Sequence, residues 1–190
     1  MIKPNNYDES AVYTGEFNDL PNGAYNCIIK NAIDTVSYKG ERMLEIWVDI
    51  SEGEHRGYFQ NLYESQKQYT DSPKWRGIIR QLIDGKSTPY FKGLISNIQK
   101  SNPGYVFDFA EEKLFGKKIG GVFRHKQYAA QDGTLKFAVE CWYLCDISQV
   151  KDILIPEDKL LTTAMQPNVY DDHIRPDPQM EEITGKPFPF

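Results

Sequence analysis

The nine residues RMLEIWVDI, from Arg42 to Ile50, are the segment on which the fold prediction depends. Apolar side chains alternate along it in a strict two-residue period, which is typical of a β-strand with one face buried. One face carries the apolar row and the other carries Trp47 among polar neighbours. The apolar row consists of Leu44, Ile46, Val48 and Ile50, and the opposite row of Met43, Glu45, Trp47 and Asp49.

Two further strands are predicted on either side of this segment. Residues 24–34 (AYNCIIKNAID) precede it and residues 58–63 (YFQNLY) follow it. The intervening segments, 37–40 and 51–57, contain glycine and polar residues that are typical of turns. Three strands joined by short turns predict a β-meander.

Two amphipathic helices are predicted next. Ser72-Pro73 is a helix start signal, and the apolar residues that follow recur at helical spacing until Gly85. Thr88-Pro89 repeats the start signal, and the second helix is expected to end at residues 102–104 (NPG). The first stripe comprises Trp75, Ile78, Ile79, Leu82 and Ile83, and the second Phe91, Leu94, Ile95 and Ile98.

A β-hairpin is predicted after the helices. Its strands are residues 117–128 and 134–145, and Asp132-Gly133 between them is a strong turn signal. The pair Gly120-Gly121 indicates a bulge or bend. Three strands, a helical segment and a hairpin favour a mainly β fold, a five-stranded OB-type Greek-key barrel with two helices between strands 3 and 4. The alternative is an ordinary α+β sheet with helices on one face.

The chain is predicted to have three parts: an N-terminal arm (1–20), the OB-type domain (21–156) and a flexible acidic tail (157–190). The net charge is −5, yet residues 56–136 contain fourteen bases and seven acids, so the basic excess lies in the middle of the chain. Three cysteines without a CxxC pair argue against a disulfide framework. No apolar run is long enough for a membrane span or a signal peptide, so we expect a cytoplasmic protein.

OB barrels bind single strands by stacking bases on aromatic side chains while cations contact the phosphates. The candidate residues are therefore aromatic or basic side chains that lie off the apolar rows, and the densest group lies between residues 113 and 136. The predicted nucleic-acid-binding residues are Tyr38, Trp47, Lys74, Arg80, Lys117, Lys118, Phe123, Arg124, Lys126, Tyr128, Lys136 and Trp142. Lys118, Arg124, Lys126 and Tyr128 have the same parity and would share one strand face.

Structural roles would also account for several of these residues. Trp47 could pack under the N-terminal arm, and Trp142 against a helix. Lys74 and Arg80 lie off the apolar stripe of the first predicted helix, where a solvated face is expected. The lysines of the hairpin would also protect an exposed sheet edge from aggregation.

Catalysis has little support in the sequence. The three histidines have no spaced partner for a triad or a metal site, and no phosphate-binding or nucleophile motif is present. Asp49, Glu52 and Glu54 could hold a metal ion for a nuclease, but an acidic turn after a strand is usually only solvated. We expect no enzyme activity, no metal and no cofactor.

The C-terminal tail combines acidic residues with an apolar end. A segment of this kind suits a partner pocket that has a hydrophobic slot and a basic rim. A merely solubilising role is the alternative. The predicted partner-binding residues are Asp171, Asp172, Glu181, Glu182, Phe188, Pro189 and Phe190.

Three segments carry a resemblance to known proteins. The acidic tail ending in Pro189-Phe190 resembles that of bacterial single-stranded DNA-binding proteins. The residues LPNGAY (20–25) and LEIWVDISEG (44–53), with Gly57 following, resemble a family of single-stranded DNA-binding-like proteins of phages and mobile elements. The resemblance covers residues 20–145 and the tail. One departure is that Lys186 lies between the last acids and the C-terminal Phe190.

The resemblance implies an OB fold and sequence-tolerant binding of single-stranded DNA in phage or mobile-element replication or recombination. It also implies recruitment of host or phage replication proteins through the tail. The sequence leaves open whether the chain forms a homo-oligomer. The alternative function is a protein-interaction or virion-assembly module on the same barrel without nucleic-acid binding, which the acidic flanks favour.

Overall fold

The computed structural model describes residues 19–130 and 132–161. Five strands and two α-helices account for most of this part. Three short 3₁₀ helices, Gly85–Ser87, Glu111–Leu114 and Ile147–Asp152, lie between or after them. The elements are β1 (Gly23–Val36), β2 (Arg42–Ile50), α1 (Tyr58–Gln66), β3 (Ile78–Leu82), α2 (Thr88–Ser101), β4 (Lys118–Ala129) and β5 (Leu135–Cys145).

The five strands form one antiparallel sheet in the order β3-β2-β1-β4-β5. The mainly β fold is therefore confirmed, and so are β2 and the final hairpin. Strands β3 and β5 are the two edges, and they do not pair with each other in the described part of the chain. The sheet is open, so the predicted closed barrel is not confirmed.

The prediction of a third strand at residues 58–63 is wrong, because Tyr58–Gln66 is α1. Phe59 and Tyr63 are its buried residues, and their spacing of four places both on one helix face. Gly57 precedes the helix with φ 74° and offers no capping side chain. The carboxylate of buried Asp49 accepts the backbone N–H groups of Phe59 (2.9 Å) and Gln60 (3.3 Å) instead. Burial raises the pKa of Asp49.

The prediction of a helix from Ser72 to Gly85 is also wrong, because Ile78–Leu82 forms β3 against β2. The edge of β2 satisfies the backbone of this segment, and such pairing overrides a local helical pattern. Gly77 marks the change, since a side chain there would collide with the Val48 carbonyl and the Phe59 ring. Along the chain, α1 therefore precedes β3 and α2 follows it, whereas both helices were predicted to lie between strands 3 and 4.

The core lies between the inner face of the sheet and the two helices. The second predicted helix is confirmed as α2, and Phe91, Leu94 and Ile98 are buried on it. Gly120 and Gly121 allow close packing, since a Cβ atom would lie 2.6 Å from the Cys145 Sγ at the first and 2.8 Å from the Phe123 ring at the second. The inner core includes Cys27, Ile29, Ile46, Val48, Phe59, Ile98, Leu114, Ile119 and Phe123.

All three cysteines are buried free thiols. Burial raises the pKa of Cys27, of Cys141 and of Cys145, the last to about 11, so at neutral pH they are protonated and poorly nucleophilic. No described helix is long and apolar enough to cross a membrane. Almost all of the predicted arm and tail, including every predicted partner-binding residue of the tail, lies outside the described residues.

Residues 156–161 run back along β4, and we call them the strap. The backbone of Lys159 donates to the His125 carbonyl and accepts from the Gln127 N–H, both at 2.8 Å. Asn22 donates to the Pro156 carbonyl at 3.2 Å. The strap therefore covers the edge of β4 beyond Phe123, where the pairing of β4 with β1 stops.

Candidate nucleic-acid interface

The β4–β5 hairpin extends past the rest of the sheet. Strand β1 pairs with β4 only from Lys118 to Phe123, whereas β5 pairs with β4 as far as Ala129. The turn is closed by the Ala130–Thr134 backbone bond of 2.8 Å, with Gly133 at φ 79°. This geometry confirms the predicted Asp132-Gly133 turn, and it extends β4 and β5 as an arm whose β4 edge is bordered by the strap.

The register of the hairpin places its basic residues on one face. Arg124 lies opposite Glu140, Lys126 opposite Ala138, and Tyr128 opposite Lys136. Of the four residues predicted to share a face, Lys118, Arg124, Lys126 and Tyr128, the last three lie together here, whereas Lys118 lies at the other end of β4. We call Arg124, Lys126, Tyr128, Lys136 and Trp142 the hairpin face.

One carboxylate serves two cations of the hairpin face. Glu140 accepts from Arg124 Nε at 3.1 Å and lies 3.7 Å from Lys126 Nζ. Two cations therefore lie beside this one carboxylate. Lys126 is mostly buried, whereas Lys136 is exposed at the far end of the face. Glu140 was not singled out by the sequence prediction, although the alternation of β5 placed it beside Lys136.

Trp142 is the extra residue of a β-bulge. Val122 lies opposite Tyr143 and Phe123 opposite Cys141, so Trp142 has no partner on β4. Bulges redirect side chains, and here the Arg124 guanidinium carbon lies 4.2 Å from the centre of the Trp142 ring. The indole is still 47% exposed. The alternative of burial against a helix is therefore wrong.

Phe123 cannot belong to a surface site. Its side chain is fully buried, and its ring centroid lies 5.3 Å from that of Phe59 and 6.0 Å from that of Tyr25. Regular alternation of β4 explains this position, because Phe123 has the parity of buried Ile119 and the opposite parity to Arg124 and Lys126. The interpretation of Phe123 as a nucleic-acid-binding residue is thus corrected to a core residue.

Trp47 and Arg80 belong to a half-buried network on β2 and β3. The Trp47 ring stacks on Trp75 at 6.1 Å with an interplanar angle of 10°. Its Nε1 donates to Glu45 at 2.6 Å, and the same carboxylate pairs with Arg80 Nε at 2.7 Å. Trp47 thus packs on Trp75 of the segment before β3, and Arg80 neutralises Glu45.

Lys117 and Lys118 line an open cleft of about 500 Å³ at the start of β4. Lys117 Nζ lies 4.4 Å from the centre of the Tyr105 ring, and the Tyr105 hydroxyl is buried without a hydrogen-bond partner among the described residues. Lys118 is six residues from Arg124, a separation of roughly 20 Å along a strand. The structure therefore places this pair apart from the hairpin face.

The two remaining candidates lie elsewhere. Tyr38 is exposed in the β1–β2 turn, with Lys39 Nζ 5.1 Å from its ring centre. Lys74 is partly buried, and its backbone N–H donates to the Gln66 side chain at 3.0 Å. Of the twelve predicted binding residues, five are brought together on the hairpin face.

Asp49 and Glu52, two of the carboxylates considered for a metal site, have different hydrogen-bond partners. Asp49 accepts the N–H groups at the start of α1, and Glu52 accepts from the Asn26 side chain. No cluster of three or more metal-ligating side chains occurs among residues 19–130 and 132–161. The hairpin face is instead suited to recognising a planar, anionic ligand by stacking and charge.

No protein-family model and no curated protein matches this chain. The resemblance to phage single-stranded DNA-binding-like proteins therefore stays a prediction. The physical chemistry of the described residues carries the functional argument.

Proposed function

We propose that this chain binds single-stranded DNA without strong sequence preference, on the hairpin face. The observation that carries the proposal is Trp142, which is half-exposed at a bulge with the Arg124 guanidinium against its ring. Base stacking on an exposed aromatic is worth roughly 1–3 kcal/mol and is tolerant of base identity. The guanidinium beside the ring supplies charge for a phosphate at the same position.

The strand order supports an OB-type fold for the domain. An OB barrel opened between its third and fifth strands has the order β3-β2-β1-β4-β5, and here the Cα atoms of β3 and β5 come within 8 Å of each other. Helix α2 lies between β3 and β4, where OB folds carry their connecting helix. In this fold class the loop between the last two strands contributes to nucleic-acid binding, which is consistent with a site on the hairpin.

The proposed role is in phage or mobile-element replication or recombination, with the acidic tail recruiting host or phage proteins. This part rests on the resemblance and on the composition of residues 157–190. A second candidate is a protein-interaction module without DNA binding. The acidic excess of residues 1–55 and 137–190 favours it, because negative charge repels phosphate. The large apolar side chains Val106, Phe109, Leu154 and Ile155 are also exposed.

Fluorescence anisotropy with a labelled oligo(dT) separates the two functions. We expect the full chain to bind a strand of about thirty nucleotides and to bind a duplex of the same length much more weakly. Between roughly 0.05 and 0.2 M salt, about three phosphate contacts predict a slope near −2 in a plot of log K against log salt. Equal affinity for duplex, or no binding at the lowest salt, would contradict the proposal and favour the interaction module.

A further inference from the structure

The two edges of the β4–β5 arm are covered unequally. Beyond β1, the edge of β4 is covered by the strap through the backbone of Lys159. Strand β5 is the last strand of the sheet, and no described segment pairs with its other edge. Among the described residues, Asn97 of α2 reaches β5 only near its end, donating to the Leu144 carbonyl at 3.2 Å. Strand β3 comes within 8 Å of β5 between Cα atoms but does not pair with it, so no described strand pairs with residues 135–140 on this edge.

This open edge is also apolar. Leu135 is 59% and Phe137 46% exposed on one face, and Lys136 and Ala138 are exposed on the other. Sheet edges that remain unpaired are normally short, bulged or blocked by charge. Residues 135–138 have one lysine and no proline, and the bulge at Trp142 lies beyond them. The segment is thus suited to pairing with another strand.

We propose that β5 pairs antiparallel with β5 of a second copy of this chain, around a two-fold axis at Ala138. Such an axis is perpendicular to the sheet and keeps the same face of each copy on the same side. Residues that lie opposite each other must therefore both be even-numbered or both odd-numbered. The axis must then pass through a residue rather than between two residues, and charge selects which residue.

Charge complementarity selects the register. When the two-fold axis passes through Ala138, Lys136 of each copy lies opposite Glu140 of the other, which gives two ion pairs. Phe137 of each copy then lies opposite Val139 of the other. An axis through Lys136 would place the two lysines opposite each other. An axis through Phe137 would place Lys136 opposite Ala138, where it gains no ion pair. Opposite charges across a strand pair stabilise it and like charges destabilise it.

The arrangement would also extend the hairpin face. Glu140, which already contacts Arg124 and Lys126, would gain the partner's Lys136 as a third cation. The two hairpin faces would join into one continuous surface across the axis. The dimer itself does not depend on DNA, so its test is independent of the proposed function.

The first test is the mass of the full chain in solution without DNA, measured by sedimentation across a wide range of concentration. We expect the mass to rise from 21.9 kDa towards twice that value as concentration increases. Lys136→Glu places like charges opposite each other twice and should weaken dimerisation at least about tenfold. Lys92→Glu makes the same charge change at an exposed side chain of α2 and should dimerise like the unmodified chain.

The second test is a cross-link at the axis. Ala138→Cys would place two new thiols about 5 Å apart between Cβ atoms, so mild oxidation should give a covalent dimer. The native thiols are buried and protonated and should not react. Ser148→Cys, exposed on the 3₁₀ helix after β5, is the control and should cross-link poorly. A chain that stays at 21.9 kDa at every concentration, or a dimer that both Lys136→Glu and Ala138→Cys leave unchanged, would overturn the proposal.

Discussion

Replacing Trp142 by alanine is expected to weaken binding of oligo(dT) by roughly 5- to 150-fold. The range corresponds to the loss of one stacked base, roughly 1–3 kcal/mol. The variant would also remove the ring whose centre lies 4.2 Å from the Arg124 guanidinium carbon. The contribution of the Arg124 charge to DNA binding should therefore fall as well. The measurement is the dissociation constant at low salt, with the thermal unfolding midpoint recorded for the same samples.

A matched control distinguishes stacking from a general effect of removing a surface aromatic. Tyr90→Ala deletes a 72% exposed ring from α2, well away from the hairpin face in the sequence and on another element. Its affinity for oligo(dT) should be unchanged. If Trp142→Ala bound as tightly as the unmodified chain, the hairpin face would not be the binding site, whatever the protein's affinity for DNA.

The largest effect on folding is expected from Phe59→Ala, with a loss of about 3–5 kcal/mol in the free energy of unfolding. Phe59 is only 1% exposed and joins α1 to the sheet through Phe123, with ring centroids 5.3 Å apart. Its removal leaves a cavity between helix and sheet that neighbouring side chains cannot fill. Chemical denaturation followed by circular dichroism gives the midpoint and slope from which this value is obtained.

The control for this prediction is Asn61→Ala on the same helix. Asn61 is exposed, so its replacement should change the free energy of unfolding by less than about 0.5 kcal/mol. A loss below about 1 kcal/mol for Phe59→Ala would be inconsistent with a buried α1.

The strongest sequence patterns predicted local structure correctly. The alternation in residues 42–50 was sufficient to predict β2, although the structure buries residues of both its faces. The Asp132-Gly133 turn was sufficient to predict the hairpin. Both errors occurred where short apolar segments fit two periods. Residues 58–63 form a helix whose first N–H groups bind the distant Asp49, and residues 78–82 become a strand because β2 offers an edge.

The candidate site was predicted in part for the same reason. Parity placed Arg124, Lys126 and Tyr128 on one face, since a regular strand alternates. Phe123 was grouped with its basic neighbours, although its parity is that of the buried Ile119 on the opposite face. The exposure of Trp142 was left open because it depends on a bulge of one residue, whose position no local sequence signal fixes. The burial of Trp47 against Trp75 depends on a contact between segments 28 residues apart, which periodicity does not report.

The distribution of charge resolves an apparent conflict with the net charge of −5. The acidic excess lies in the two ends of the sequence, whereas the hairpin face lies in the basic middle part. Binding depends on the local field at the contact, which falls off within about 8 Å at physiological ionic strength. An acidic protein can therefore bind a nucleic acid at a locally cationic surface.

The most direct test of the account is photo-cross-linking of the full chain to oligo(dT) carrying 5-iodouracil, followed by identification of the modified peptides. If the hairpin face binds the strand, adducts should be concentrated on the hairpin, at Trp142 or Tyr128, and should be lost when unlabelled oligo(dT) competes. Adducts confined to residues outside 118–145, or equally frequent across the chain, would contradict it.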